Sequence, residues 1–574
     1  MKASDYIARF LEAQGVATIY EMSGGMITHM LDSLHQLTKI NIVSMHHEQS
    51  ASFAADADAR VTGVPGVAMA TSGPGATNLL TGISSCYFDS VPAVFITGQV
   101  NTFEQKGDRP IRQLGFQETD IVSMAQPVCK ACYDVKDALD LPQILEEAFR
   151  VALGDRPGPV LIDIPMNMQR VDIPAPATGF ERVKRQGISS ALAPAQLDEL
   201  AQALAAAQKP LILVGRGVRS SFQIEAFRHF VHLTQVPVVS SLLAIDALPY
   251  TDPLRIGYIG SYGNRWANMA LGNCDFLLVL GARLDIRQTG ADTAYFEEGR
   301  TIYHVDCDAG EINNRITGCH PVVADLADFF TLANNYYQPS DFTPRTEWLS
   351  HLTELRAQWP DTNEQYGIEG INPNDFMHAL SQAGHGAGYV ADVGNHQQWA
   401  AQSLELAPSQ LFLTSAGLGS MGYALPAAIG MCFASRQPVV MIAGDGGFQM
   451  NMQELQTIAH HKLPVKLVVL NNNCLGMIRQ FQDSYFEGRY QSTYWGYSAP
   501  DFTKIAAAYG IDSLTVSDPT QLAEAAAWLW QDEKKPALLQ VMIDTHANCY
   551  PKLAFGRPIT EMEPFAKPLE MEGT

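Results

Sequence analysis

An aspartate set between glycines, Gly444-Asp445-Gly446, ends the apolar run Val439 to Ala443, and an amide pair, Asn471-Asn472, ends a second run from Val465 to Leu470. Runs of this kind read as strands buried on both faces of a parallel sheet. The carboxylate and the amides therefore stand at the carboxyl ends of two strands, the edge where open α/β sheets take their ligands. Asp445 offers a hard carboxylate oxygen and Asn472 a neutral amide oxygen. With a backbone carbonyl and diphosphate oxygens they form a donor set suited to Mg²⁺, which prefers oxygen and octahedral geometry. The glycines let the backbone approach a phosphate closely. A turn would explain Gly-Asp-Gly alone, and a loop Asn-Asn alone. Together, each after a buried strand, they point to a metal–diphosphate clamp.

Such strands need sheets and helices to hold them. A chain of 574 residues, 47% hydrophobic and 17% charged, is too long for one core and rich enough in apolar residues for three domains. The first, residues 1–170, alternates helices with short strands, clearest at Val67–Thr71, Val94–Thr97 and Val160–Ile164. The Pro- and Ala-rich stretch Ile173 to Ala177 reads as a linker. The second domain, 190–340, opens with a helix around Gln196–Ala207 and continues through strands Leu211–Val214, Val236–Val239, Phe276–Leu280 and Thr301–Val305. A second linker lies around Tyr337 to Pro344. The third domain, 365–547, carries the clamp, and residues 548–574 read as a tail crossing the surface. This alternation predicts an α/β protein of three doubly wound parallel sheets.

Composition narrows the partners. A net charge of −22 argues against nucleic acid and anionic membranes. No apolar run spans a bilayer, and the start, Met1 to Leu11, reads as an amphipathic helix with internal charges, not a signal peptide. Scattered cysteines fit a reducing, cytoplasmic setting. Cys129 and Cys132 are a lone Cys-x-x-Cys with no second pair to complete a site.

Four further stretches carry candidate chemistry. His46-His47-Glu48 precedes an Ala-rich helix. A carboxylate there favours the helix dipole, or serves as a proton-handling group if a cofactor lies beside it. Thr71-Ser72-Gly73-Pro74-Gly75-Ala76-Thr77-Asn78 follows a strand and opens a helix, as phosphate-binding loops and plain tight turns both do. Ser415 to Ala428 is Gly-rich and then helical, so that backbone carbonyls could face a flat ring with the adaptable Met421 beneath it; a lone Met is otherwise core packing. Asp392-Val393-Gly394-Asn395-His396-Gln397 ends another strand and offers donors for a diphosphate.

The clamp is similar to the signature of thiamine-diphosphate enzymes, and the chain as a whole, from about residue 4 to 555, resembles their acetohydroxyacid synthase family. The resemblance rests on Met22-Ser23-Gly24-Gly25, His47-Glu48-Gln49, Thr71 to Asn78, Thr97 to Val100, Gly115-Phe116-Gln117-Glu118, Arg156 to Val160, Gly281-Ala282-Arg283, Gly394 to Gln397, Gly417 to Ala428 and the clamp. It implies that Glu48 promotes the imino tautomer of a thiamine pyrimidine held by the third domain of another copy. The Gly419 carbonyl would accept from the 4′-amino group, and Met421 would impose a bent cofactor. Asp445, Asn472 and the backbone carbonyl of Cys474 would bind Mg²⁺. Thr71, Pro74, Asn78, Gly394, Asn395, His396, Gly446, Gly447 and Met477 would contact the cofactor. Many members also bind a non-redox FAD, and Arg156, Gly215, Gly281, Ala282, Arg283, Asp306 and Asp325 match those contacts. Gly25, Phe116, Gln117, Lys130, Arg287 and Phe481 match substrate positions. A homodimer or homotetramer with the site between subunits follows from the same resemblance.

The expected reaction is decarboxylation of a 2-keto acid, most simply pyruvate, with transfer of the two-carbon unit to a carbonyl acceptor. Phe481 stands where relatives carry a Trp, Met22-Ser23 replaces a Tyr-Pro, and the 103–112 loop is longer and more charged than theirs. These departures leave open another acceptor, such as a keto-sugar in branched-sugar synthesis, or a 1,2-dione lyase or hydrolase activity. An inactive flavin-binding scaffold is opposed by intact Glu48, Asp445 and Asn472.

Overall fold

A computed structural model describes residues 1–176, 178–188 and 192–569. The end of the first linker at Ala177, the start of the middle domain at 190 and the last residues of the tail, 570–574, lie outside the described residues.

Three six-stranded parallel sheets with flanking helices make an α/β protein of three domains. The first sheet has β1 (Thr18–Met22), β2 (Asn41–Ser44), β3 (Gly66–Ala70), β4 (Ala93–Gln99), β5 (Ala131–Asp134) and β6 (Pro159–Pro165), in the order β2-β1-β3-β4-β6-β5. Strands β3, β4 and β6 are buried along their whole length, because helices cover both faces of a parallel sheet.

The second sheet has β7 (Pro210–Val214), β8 (Val238–Ser240), β9 (Arg255–Tyr258), β10 (Phe276–Leu280), β11 (Thr301–Asp306) and β12 (His320–Val323), in the order β12-β11-β10-β7-β8-β9. Read from the other edge this is 3-2-1-4-5-6, the dinucleotide-binding order, whose direction of winding switches between β7 and β10. Strand β8 begins at Val238, two residues later than the apolar pattern of Val236–Val239 suggests.

The third sheet has β13 (Gly388–Ala391), β14 (Leu411–Leu413), β15 (Val439–Gly444), β16 (Val465–Asn471), β17 (Asp512–Val516) and β18 (Ala537–Met542), ordered β14-β13-β15-β16-β18-β17. The first and third domains meet through helices Glu48–Thr62 and Ala424–Ser435. A Cβ added to Gly430 would lie 2.1 Å from the Ala54 carbonyl oxygen, so the two backbones touch. The tail runs from the third domain onto the second: Gln480 holds both backbone groups of Cys549, Leu553 N–H donates to the Ser261 carbonyl at 2.8 Å, and Arg265 donates to the Met562 and Glu563 carbonyls.

Candidate active site

The fully buried strand β15 delivers Asp445 as the first residue of helix Asp445–Asn451. Its side chain has little contact with water, and burial pushes its pKa up to about 6, against the pull of the Tyr497 hydroxyl and nearby backbone N–H groups. A buried carboxylate needs hydrogen-bond donors, a counter-charge or a cation, and Tyr497 supplies one such donor. Strand β16 delivers Asn472, whose Oδ1 accepts from Cys474 N–H at 3.2 Å; Asn473 between them is left-handed at φ 51°. The Cys474 thiol donates to the Thr545 carbonyl and is pushed up to about 11 by burial, so it offers no thiolate.

The segments after β13 and β14 supply a polar cradle. Both side-chain polar atoms of Asn395, His396 Nε2 and Ser420 Oγ are buried without a hydrogen-bond partner. Burial lowers the His396 pKa to about 3, so its ring is neutral. Cβ atoms on Gly394 and Gly444 would come within 2.6 and 2.9 Å of that ring, and one on Gly476 would meet Asn472 at 2.8 Å and Asn395 at 3.1 Å. A Cβ on Gly447 would lie 2.6 Å from Asp392, which holds the Gly422 and Ala424 N–H groups and so fixes the Met421 loop. Gly419 is left-handed at φ 74°, and a Cβ there would meet nothing within 4 Å: its face opens on free space. Met421, Leu475 and Tyr497 surround Gly446, and Met477 is half-buried in the first turn of helix Gly476–Tyr485. Unpartnered donors and acceptors, a buried carboxylate and an open glycine face suit a diphosphate, its cation and a ring.

In the first domain Glu48 begins its helix after the His47 cap, whose Nδ1 accepts from Gln49 N–H at 3.0 Å. Asn78 Nδ2 donates to Glu48 Oε2 at 2.9 Å, and a Cβ on Gly75 would lie 3.2 Å from Oε1. Thr71 packs under Gly24, Pro74 opens the short helix Pro74–Asn78, and Gly25 is exposed. Glu48 and the Thr71–Asn78 loop are thus brought together. Gln49 and Ser50 reach Asn451 of the third domain, at 3.3 and 3.2 Å. Among the described residues no hydrogen bond joins Glu48 to Asp445, Asn472 or the Met421 loop.

A cleft enclosing about 1230 Å³, its open mouth included, lies at the junction of all three domains. It sits at the switch point of the second sheet. There Gly215 packs so tightly that an added Cβ would stand 2.1 Å from the Gly281 carbonyl oxygen. Arg156, Gly281, Ala282, Arg283, Arg287, Asp306 and Asp325 all line it. Arg156 pairs with Glu311 at 2.5 Å, Asp325 with Arg185 at 2.6 Å, and burial pushes Asp306 up to about 6. Sequence reasoning missed Arg185, Arg216, Tyr258 and Gln398 on its walls. Only Arg216 carried a signal, as the middle of Gly215-Arg216-Gly217. Tyr258 donates to Gln398 at 2.9 Å across two domains.

The expected substrate residues scatter. Phe116 is 82% exposed. Gln117, left-handed at φ 67°, leans on Gly73. Phe481 packs against Tyr485 and Phe486, at 4.7 and 5.9 Å between ring centres. Lys130 is not brought to the cleft: its ammonium donates to the Val151 and Gly154 carbonyls, at 2.6 and 2.7 Å, and caps helix Leu141–Leu153. Unpaired carbonyls at a helix end attract a cation. Among the described residues no helix is long and apolar enough to cross a membrane.

Comparison with known proteins accounts for this arrangement. The thiamine pyrophosphate enzyme N-terminal TPP binding domain matches residues 1–124, the central domain 197–332 and the C-terminal TPP binding domain 392–541. The chain belongs to the thiamine pyrophosphate enzyme family. It is 36% identical to the acetolactate synthase large subunit of Porphyra purpurea, over 96% of this chain and 94% of that protein. It is likewise 36% identical to the acetolactate synthase isozyme 2 large subunit of Escherichia coli K12, over 98% and 99%, and 34% identical to the acetolactate synthase large subunit of Lactococcus lactis, over 97% and 95%. The chain is thus an acetolactate synthase-like, thiamine-diphosphate-dependent carboligase.

Proposed function

We propose that the chain decarboxylates pyruvate and transfers the two-carbon unit to a carbonyl acceptor, with Mg²⁺ and FAD as further cofactors and the active site built between two copies. When bound, thiamine diphosphate supplies a carbon nucleophile and an electron sink that let a 2-keto acid lose CO₂. Asp445, Asn472 and the Cys474 carbonyl hold the cation, and Asn395 and His396 contact the diphosphate. Glu48 holds the proton exchanged with the pyrimidine ring on Oε1, since Asn78 occupies Oε2. The Gly419 carbonyl orients the ring and Met421 supports it. The observation that carries the reading is the set of buried, unpartnered polar atoms on Asn395, His396 and Ser420, beside a buried Asp445.

A second chain is invoked because Glu48 and Asp445 stand on different domains, and among the described residues the side-chain hydrogen bond of Glu48 is to Asn78 of its own domain. A symmetric pair makes two such sites. FAD is assigned to the cleft because it lies at the switch point of a dinucleotide-type sheet and is lined by Arg156, Gly281, Ala282, Arg283, Asp306 and Asp325. The nine free cysteines support a cytoplasmic setting.

A second reading keeps the donor and makes the acceptor a keto-sugar. The departures at Phe481, Met22-Ser23 and the charged 103–112 loop leave room for it. The test is an acceptor screen with pyruvate as donor, scoring CO₂ release and adduct together, on protein whose flavin content has been read from its visible spectrum. No CO₂ release from pyruvate under any acceptor would overturn the donor. A colourless preparation that neither takes up nor responds to FAD would overturn the flavin.

A further inference from the structure

The hydrogen bonds around Asp445 include one donor that the clamp does not use. The segment after helix Gly476–Tyr485 folds back over the Asn471–Leu475 loop: Leu475 N–H donates to the Thr493 carbonyl at 2.9 Å, and Ala499 N–H to Asn473 Oδ1 at 3.2 Å. This brings the Tyr497 hydroxyl, 52 residues further along the chain, to 3.0 Å from Asp445 Oδ2. Gln449 fixes the direction of that bond. Its Nε2 donates to the Asp445 backbone carbonyl at 3.1 Å, which can only accept, and to the Tyr497 oxygen at 3.3 Å. With a lone pair so engaged, the single proton of Tyr497 goes to Asp445 Oδ2.

We infer that Tyr497 is a positioning residue that makes Asp445 a one-oxygen ligand and thereby sets a preference for Mg²⁺ over Ca²⁺; this rests on the reading of Asp445 as a metal ligand. A carboxylate free on both oxygens can close on a cation with both. Ca²⁺, with six to eight oxygen ligands and flexible geometry, accepts this; Mg²⁺, held to near-ideal octahedral geometry, does not favour it. A proton donated to Oδ2 weakens that oxygen as a ligand and leaves Oδ1 to meet the metal. Groups that hold a ligand in this way tune the affinity of the metal they never touch.

The test uses Tyr497→Phe in the full chain, which keeps the ring and the backbone bonds of the segment. Thiamine diphosphate binding is measured by calorimetry while Mg²⁺ or Ca²⁺ is varied. The half-saturating Mg²⁺ concentration should rise by about tenfold or more, with a clearly smaller change for Ca²⁺, so that the Mg²⁺/Ca²⁺ preference falls. Asp445→Ala, run alongside, separates the two claims. If Asp445→Ala loses cation dependence while Tyr497→Phe keeps the wild-type preference, or weakens both cations equally, the role of Tyr497 is overturned and the clamp stands. If Asp445→Ala keeps full cation dependence, the clamp reading fails and the inference with it.

Discussion

The first and third domains share one strand order, β2-β1-β3-β4-β6-β5 repeated as β14-β13-β15-β16-β18-β17, yet they carry different residues at the same edge. In each, a helix follows the second strand, and these two helices, Glu48–Thr62 and Ala424–Ser435, pack on one another. In the first domain that helix opens on a half-buried carboxylate answered by a single amide from Asn78. In the third domain it is preceded by a glycine loop whose residue Gly419 faces open space. After the third strand the first domain has the Thr71–Asn78 loop, the third a buried aspartate flanked by unpartnered amide and imidazole groups. Topology sets where loops arrive; residue type decides whether an edge handles a proton or cradles an anion and its cation.

The division can be broken at its proton-handling side first. Glu48→Gln is isosteric but cannot relay a proton, so turnover should fall by about 10²–10⁴-fold with thiamine diphosphate affinity retained. Near wild-type turnover in steady-state assays would remove Glu48 from catalysis. Next comes the cradle. Asp445→Ala should weaken thiamine diphosphate binding by at least the ~10–100-fold cost of disturbing an outer partner of a metal, and excess Mg²⁺ should restore it only in part. Calorimetric titration reads this directly.

Mixing the two inactive variants sharpens the comparison further. If the halves of a site come from different chains, Glu48→Gln and Asp445→Ala subunits that exchange should recover part of the wild-type activity. Exchange shown by mass labelling with no recovery would place both halves in one chain.

A smaller effect is expected at the acceptor. Phe481 lacks the second ring and indole N–H of a Trp, and discrimination by one methylene is worth only ~1–3 kcal/mol in a fitted pocket. The wild type should therefore show little preference for 2-ketobutyrate over pyruvate and tolerate larger carbonyl compounds, while Phe481→Trp narrows the range in competition assays. A strong 2-ketobutyrate preference in the wild type would reverse this expectation.

The smallest effect concerns how the third domain is fastened to the turn Asp361–Asn363 before it. His378 lies between Asp361 and Glu405, at 3.0 and 2.8 Å. Burial lowers its pKa, but the two carboxylates outweigh burial and hold it above the ordinary histidine value. A group raised in the folded state stabilises fully below its unfolded value, ~6.5, and loses that contribution as pH rises through the folded value. The stability lost in His378→Gln should be greatest at mildly acidic pH and shrink toward alkaline pH in denaturant titrations. A loss that grows with pH would contradict the pairing.

What the sequence by itself determined were features written in adjacent residues. Apolar runs marked β10, β15 and, interrupted only by Lys466, β16, because a strand buried on both faces carries no regular polar alternation. Gly444-Asp445-Gly446 and Asn471-Asn472 marked the clamp because each directly follows such a run. Weaker patterns misled or stayed silent: β8 began two residues late, and β1, ending in the exposed Met22, was not marked at all. Only the tertiary structure decided which distant groups meet. Tyr497 reaches Asp445 across 52 positions, and Tyr258 meets Gln398 across 140. Lys130 meets the end of helix Leu141–Leu153 through the Val151 and Gly154 carbonyls. The shared strand order of the two outer domains, and the different order of the middle one, likewise appeared only with the fold. Strand identity is a local property of burial, whereas pairing and side-chain partners depend on which surfaces the whole chain brings together, and no short stretch encodes that.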